Sequence, residues 1–204
     1  MDFQKYCKQL AFAGYEFYRR GWVFGNSGDF SALISRNPFR LCITASENEK
    51  GSLDETNFLE IDDNDEVLQG FGFPPPTTLI HLAIYRLRSE ANAVLQTHSV
   101  WDVILSDRFF ENGYIKIEGY EMLKGLLGVK SHEHCEIIPI IENSQDYIAL
   151  SHVVENLLRE NPSIHAFLIR RNGLYTWGRN VTEAKRHVEI LEFLLEVTGR
   201  NLLS

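Results

Sequence analysis

Apolar residues recur every three or four positions in several stretches of the chain, which is typical of helices that bury one face. In the first stretch Tyr6, Leu10 and Phe17 share a side. Asp2 is placed to cap this helix, and Gly21 is placed to end it. The same pattern predicts helices over residues 2–20, 77–88, 99–106, 145–160 and 182–202, and a further helix that opens at 119–125.

Short apolar runs between those helices predict strands. The predicted strands cover residues 32–35, 40–44, 58–61, 66–68, 114–117, 136–141, 165–169 and 174–177, together with an apolar run that begins at Ala93. The chain has 204 residues and shows no internal repeat, low-complexity tract or linker. It is long enough to bury one sizeable core. We therefore predict one α/β domain over residues 1–204.

The run that begins at Ala93 changes abruptly to polar residues and leads to His98. A strand end just before a helix is where α/β proteins usually place their chemistry. Side chains two positions apart on a strand share a face, so we predict that Gln96 and His98 point the same way. A His-x-His pair at such a position commonly binds a metal ion. Here the first of the two positions carries an amide instead.

Two loops of small and hydroxyl-bearing residues, 25–31 and 44–51, lie next to predicted strands. Backbone N–H groups and hydroxyls in such loops can hold an anion. Ordinary turns have the same composition, so this signal is weak by itself.

The other conspicuous histidine and acid positions have ordinary structural explanations beside functional ones. A lone histidine on an apolar helix face, such as His81, is usually a packing residue. Glu121 lies near the start of a predicted helix, where a carboxylate interacts well with the helix dipole. His132 and His134 have a metal-like spacing, but they precede a strand, and a chance match is the preferred interpretation.

Composition and charge narrow the class of protein. Hydrophobic residues make up 44% of the chain and charged residues 24%, which is ordinary for a globular protein. The formal net charge of -8 argues against a partner with a negative surface, whether nucleic acid or membrane. No apolar run approaches the roughly 20 residues that span a bilayer. Cys7, Cys42 and Cys135 are odd in number and widely spaced, so we expect reduced, buried thiols and a cytoplasmic location.

Several sequence blocks resemble the class II aldolase/adducin superfamily. They occur in the expected order at residues 43–46, 96–99, 119–124, 138–140 and 168–178. The resemblance covers about residues 3–197, and is closest to the branch that dehydrates methylthioribulose 1-phosphate in methionine salvage. It implies a three-layer class II aldolase-like fold, with a central, mostly antiparallel sheet flanked by helices. It also implies a homotetramer with active sites near subunit interfaces.

The resemblance implies roles for individual residues. In the family three histidines hold a zinc ion, a glutamate is the acid/base, and small-residue loops bind the substrate phosphate. His98 matches one zinc ligand and Glu121 the acid/base. The residues that match phosphate-loop positions are Ser27, Gly28, Thr44 and Ser46. The other two ligand positions hold Gln96 and Asn172, whose neutral amide oxygens are poor zinc ligands.

Three further departures fall on the same pocket. Asp29 stands where the family usually has asparagine, Glu47 where it has glycine, and Thr77 where it has glutamate. Asp29 and Glu47 are expected to place negative charge near the substrate phosphate. Two functions therefore follow from the resemblance: a lyase that dehydrates a phosphorylated ketose, or a member with a degenerate metal site that acts in binding or assembly, as the adducin branch does.

Overall fold

A nine-stranded sheet forms the centre of the protein in the computed structural model, which describes residues 2–202. Its strands, labelled in chain order, are Phe30–Arg36 (β1), Phe39–Thr44 (β2), Phe58–Ile61 (β3), Val67–Gln69 (β4), Ala93–Thr97 (β5), Tyr114–Glu118 (β6), Cys135–Ile141 (β7), Ala166–Ile169 (β8) and Gly173–Gly178 (β9). The order across the sheet is β4-β3-β2-β1-β5-β9-β8-β7-β6. Among the described strands only β7 and β8 pair in parallel, so the predicted mostly antiparallel sheet is confirmed.

Helices cover both faces of this sheet. They are Asp2–Arg19 (α1), Thr78–Leu87 (α2), Val100–Arg108 (α3), Tyr147–Glu160 (α4) and Val181–Asn201 (α5). α2 and α4 pack in one hydrophobic cluster with one face of the sheet, while α1, α3 and α5 pack against the other face. This arrangement is the expected three-layer fold. None of the helices within residues 2–202 has both the length and the apolar character needed to cross a membrane.

The central strand β5 is buried along its whole length because both of its faces are covered. Val94 belongs to the cluster on the side of α2 and α4. Ala93 and Leu95 belong to the cluster on the side of α1 and α5. Strand alternation thus explains why the segment is a continuous apolar run in the sequence.

The helix predicted at 119–125 is wrong. The structure has a 3-10 turn over Glu121–Gly125. Gly119 lies before it with φ +83°, in the left-handed region, and Gly125 packs tightly on Ile190 of α5. Five residues between two such constraints are too few to offset the cost of nucleating an α-helix.

The thiols are free, and two of the three match the expectation of burial. Cys7 and Cys42 lie in the core with their Sγ atoms 3.8 Å apart. Cys135, the first residue of β7, is exposed, which corrects the expectation of burial for that residue.

Candidate active site

Strand β5 ends at Thr97, so the polar segment 96–99 begins in the buried strand and continues beyond it. Beyond the strand, the backbone N–H of His98 donates to the carbonyl oxygen of Trp22 over 2.7 Å. Ser99 then caps α3 by accepting a hydrogen bond from the backbone N–H of Asp102. His98 is therefore fixed between a buried strand and a capped helix.

The loop that joins β8 to β9 brings Asn172 to this strand end. The side-chain amide of Gln96 donates to Oδ1 of Asn172 over 2.9 Å. Gly173 makes the approach possible, because a Cβ atom at this position would lie 1.9 Å from the carbonyl oxygen of Thr97. The two amides that occupy family ligand positions are thus direct neighbours, 76 residues apart in the chain.

The imidazole of His98, two residues beyond Gln96 in the chain, is half-buried. Burial lowers its pKa below the ordinary value, which favours the neutral ring at pH 7. Within residues 2–202 the side chain of His98 makes no hydrogen bond, whereas its backbone N–H donates to Trp22. Its ring is therefore available to a ligand.

The residues at positions 96, 98 and 172 do not fit the zinc ion that the family implies. Oε1 of Gln96 accepts the backbone N–H of Asp29 over 3.1 Å. Oδ1 of Asn172 accepts from Gln96. Both amide oxygens therefore already accept hydrogen bonds. As metal ligands, neutral amide oxygens suit harder cations better than zinc. Only His98 offers an imidazole where catalytic zinc usually has three protein ligands.

Asp29 is the centre of a second hydrogen-bonded cluster behind the amide pair. Its carboxylate accepts from the hydroxyl of Thr44 over 3.1 Å and from that of Thr77 over 2.6 Å. The ammonium group of Lys50 lies 3.7 Å from the same carboxylate. The sequence predicted that Asp29 would add negative charge near a substrate phosphate. The structure instead pairs this charge with a buried cation.

Lys50 was missed by the sequence analysis, although it joins the two small-residue loops. Its side chain is 1% exposed, and Nζ donates to the carbonyl oxygens of Asn26 and Asn48 over 3.1 and 3.0 Å. Burial lowers its pKa, and the Asp29 carboxylate acts against that effect. A lysine in a polar loop is normally solvated, so no local sequence pattern would have singled it out.

The four residues predicted to bind phosphate differ in what they offer. Thr44 is fully buried, and its hydroxyl accepts from the backbone N–H of Phe30 while it donates to Asp29, so the hydroxyl has partners within the protein. Gly28 has φ +81°, and a Cβ atom there would collide with Val23 and with the backbone of Gln96. Glycine at this position therefore lets the loop pass close to Val23 and to the backbone of Gln96.

Ser27 and Ser46 remain the loop hydroxyls with access to solvent. Both are half-buried, and the Ser27 hydroxyl oxygen accepts the backbone N–H of Phe24 over 3.0 Å. Ser46 uses its backbone N–H to bind the carbonyl oxygen of Phe73. A site for phosphate at these loops would therefore rest on Ser27, Ser46 and the nearby backbone.

Glu121 lies apart from these residues within one chain. Its side chain is 67% exposed, forms an ion pair with Lys124 and lies 3.3 Å from Nδ1 of His132. The hydrogen bond from Lys124 lowers the pKa of Glu121, so the carboxylate is ionised at neutral pH. Within residues 2–202, Glu121 thus contacts Lys124 and His132, and neither belongs to the Gln96–Asn172 pair.

Of the other histidines, His81 is a packing residue, and His134 and His165 belong to a separate polar cluster. His81 is fully buried on α2, with Nδ1 2.7 Å from the hydroxyl of Ser31, and burial lowers its pKa to about 4. This agrees with its interpretation as a packing residue. His134 lies beside Glu136 and His165, two residues that sequence reasoning did not single out. Their proximity depends on the parallel pairing of β7 and β8, which local spacing does not encode.

This fold and these strand ends define a class of protein. The chain belongs to the class II aldolase and adducin family, because the family's sequence profile, described as the Class II Aldolase and Adducin N-terminal domain, matches residues 8–198. Two solved structures share the fold. YgbL of Klebsiella pneumoniae has a TM-score of 0.80 at 19% identity, with 97% of this chain and 89% of that chain covered. An L-fuculose-1-phosphate aldolase of Thermus thermophilus has a TM-score of 0.74 at 20% identity, with 96% and 94% covered.

Sequence relatives are more specific. A methylthioribulose-1-phosphate dehydratase of Methylococcus capsulatus is 37% identical over 199 residues, which are 98% of this chain and 95% of the relative. A protein of the same name from Pseudoalteromonas translucida is 39% identical over 198 residues, with 94% and 92% covered. The chain therefore resembles these dehydratases over nearly its whole length.

Proposed function

We propose that this chain is a lyase of the methylthioribulose-1-phosphate dehydratase type, which removes water from a phosphorylated ketose in methionine salvage. The near full-length similarity to dehydratases supports the reaction class. One structural observation carries the enzymatic proposal: the half-buried ring of His98 has no hydrogen-bond partner within residues 2–202, and burial lowers its pKa and so favours the neutral ring. A neutral imidazole at a strand end is suited to donate a hydrogen bond to a substrate carbonyl.

The proposed reaction assigns two proton-handling groups. His98 donates to the ketone oxygen and thereby makes the adjacent carbon more acidic. Because Glu121 lies apart from His98 within one chain, we assign this role to Glu121 of a neighbouring chain in the proposed homotetramer. That carboxylate, which is ionised at neutral pH, takes the proton from the carbon and returns it to the departing hydroxyl, which leaves as water. The resulting enol rearranges to the diketone phosphate. Zinc has no part in these steps, because positions 96, 98 and 172 do not fit it.

The substrate phosphate is proposed to bind at the loops that carry Ser27 and Ser46. Phe71 and Phe73, 90% and 81% exposed, flank this region on the segment before α2. Large exposed aromatic residues are typical of protein–protein contacts. They support the further proposal of a homotetramer whose active sites lie near subunit interfaces, where a neighbouring chain can approach the site.

A second function is favoured by a specific observation and competes with the first. Gln96 donates to Asn172 and accepts from the backbone N–H of Asp29. Hydrogen bonds within the protein therefore occupy both positions that the resemblance assigns to metal ligands. A family member that has lost its metal in this way could serve in binding or assembly without turnover. We also propose a cytoplasmic location, since all three thiols are free.

Steady-state assay of the purified full-length chain with methylthioribulose 1-phosphate separates the two functions. We expect turnover in the presence of a metal chelator, and a fall in kcat/KM of about 100-fold or more in His98→Ala. His152→Ala is the matched control, because His152 is an exposed histidine on α4 with a side chain 69% exposed. A folded wild-type protein without turnover would support the non-catalytic function. Turnover that survives in His98→Ala would remove His98 from the mechanism.

A further inference from the structure

A cavity lies at the opposite end of the strands from Gln96 and Asn172. Its volume is about 570 Å³, and its lining includes His134, His165 and His187. His165 directly precedes β8, whereas Asn172 follows the other end of the same strand. The cavity is therefore distinct from the candidate active site and is not used by the proposed reaction.

Three ligand-type atoms converge at the wall of this cavity. Nε2 of His134 lies 2.7 Å from Oε2 of Glu136, and Nδ1 of His165 lies 2.9 Å from the same oxygen. All three ligand atoms lie within 4.8 Å of one another. Ligands on one tetrahedral zinc ion are about 3.3 Å apart at zinc–nitrogen distances of about 2.0–2.1 Å. Small rotations of the side chains would therefore accommodate an ion among them.

The surroundings orient His165 in the way that metal ligands are usually oriented. Its Nε2 lies 2.8 Å from the carbonyl oxygen of Leu127, to which it donates when Nδ1 is free to bind a metal. The backbone N–H of Leu127 in turn donates to Nε2 of His187 over 3.1 Å, and Nδ1 of His187 donates to the carbonyl oxygen of Trp177 over 2.7 Å. This chain of hydrogen bonds holds the Leu127 backbone, and with it the ring of His165, in one orientation.

Glu136 is fixed as well. Its side chain is 2% exposed, and its Oε1 accepts the backbone N–H of His165 over 3.2 Å. The side chain of His134 is 33% exposed and lines the cavity. Two imidazoles and one carboxylate form a donor set that zinc uses in catalytic sites, with the fourth position left for water or another ligand.

We propose that His134, Glu136 and His165 bind one divalent transition-metal ion of the zinc type, with its open coordination position facing the cavity. Zinc is preferred over magnesium or calcium, because two of the three ligands are nitrogen. This site is independent of the function proposed above, since it shares no residue with the positions 96, 98 and 172.

Competition between the full-length protein and a chromophoric chelator for Zn²⁺ tests the site. We expect one zinc per chain in the wild type, and a loss of affinity of about 10-fold or more in His134→Ala, because one of three protein ligands is removed. His134 lies at the rim, so its replacement leaves the core packing intact. His132→Ala is the matched control: His132 is an exposed neighbour in the sequence, outside the cluster, and its removal should leave zinc affinity unchanged.

Two further measurements keep the proposal falsifiable. Titration with Co²⁺ should give the visible absorption of a four-coordinate cobalt site in the wild type and in His98→Ala, and a weaker one in His134→Ala. If zinc binding is lost in His98→Ala but kept in His134→Ala, the ion belongs to the candidate active site and the proposal is wrong. If the wild type takes up no zinc, the cluster is a hydrogen-bonded pair of histidines around a buried carboxylate and nothing more.

Discussion

The side-chain amide of Gln96 donates a 2.9 Å hydrogen bond to Oδ1 of Asn172, so two positions that the family resemblance assigns to zinc ligands bind each other in this protein. The backbone N–H of Asp29 adds to the arrangement by donating to Gln96. The buried side chain of Gln96 therefore has hydrogen-bond partners for both its oxygen and its nitrogen. A buried amide without such partners would be costly.

Restoring imidazoles at both positions should restore a zinc site. We expect the variant Gln96→His/Asn172→His to gain zinc affinity by about two orders of magnitude or more, because three aimed imidazoles with an open fourth position make a normal catalytic site. The measurement is zinc competition, made in a His134→Ala background so that the second cluster does not contribute. Gln96→His alone is the control and should gain less. If the double variant binds no more zinc than its background, the pocket has diverged beyond its ligands.

Lys50 and Asp29 should depend on each other for stability. Removing one partner of a buried ion pair costs about 3–5 kcal/mol, and Lys50→Met should approach the lower end because the Asp29 side chain is 13% exposed. The variant Lys50→Met/Asp29→Asn should recover part of that loss, giving a coupling energy of about 1 kcal/mol or more in urea unfolding. Lys116→Met, at an exposed pair with Glu118, is the control and should leave stability nearly unchanged. Additive effects of the two buried substitutions would contradict the pairing.

Glu47 has φ +66°, in the left-handed region that side chains disfavour. The left-handed conformation costs a residue with a side chain roughly 1–2 kcal/mol. Glycine at this position should therefore be more stable than alanine, with Glu47→Gly exceeding Glu47→Ala by about 1 kcal/mol in the free energy of unfolding. Comparing the two variants cancels the loss of the carboxylate. Equal stability of the two would show that the backbone is not strained here.

The buried carboxylates of Asp102 and Glu192 should make stability fall as pH rises. Burial, and then the charge of Asp102, raise the pKa of Glu192, while burial raises that of Asp102 to about 6. The folded state therefore binds protons more tightly than the unfolded chain, where these groups titrate near about 4. Below that pH the two groups are protonated in both states and do not change the free energy of unfolding. As pH rises through about 6, they lower it progressively.

Glu192→Gln removes one of the two titrating groups and isolates the effect. We expect its free energy of unfolding to exceed that of the wild type by about 1 kcal/mol or more at pH 8, and by less at pH 5, since one pKa unit corresponds to about 1.4 kcal/mol. Glu133→Gln, which removes an exposed carboxylate, is the control. A difference for Glu192→Gln that stays constant between pH 5 and pH 8 would contradict the raised pKa of Glu192.

The residue pattern by itself predicted most of the elements and an α/β domain, while the three-layer fold came from the family resemblance. Apolar periodicity located the five α-helices and most of the strands, because burial of one face or of both faces leaves a local repeat in the chain. The strand end at His98 was also visible in the sequence, as a change from apolar to polar residues. Local pattern failed at Glu121–Gly125, where packing of Gly125 on Ile190 accompanies a 3-10 turn in place of the predicted helix.

The tertiary structure alone decided which polar groups meet. Gln96 and Asn172 are 76 residues apart, and their contact follows from the pairing of β5 with β9. Lys50 became a buried partner of Asp29 because two loops fold together, and His165 reached Glu136 through the parallel pairing of β7 and β8. Periodicity specifies which face of an element is buried, but it carries no record of the neighbour across that face. Sites built from strand ends and loops are therefore determined by the order of the strands in the sheet.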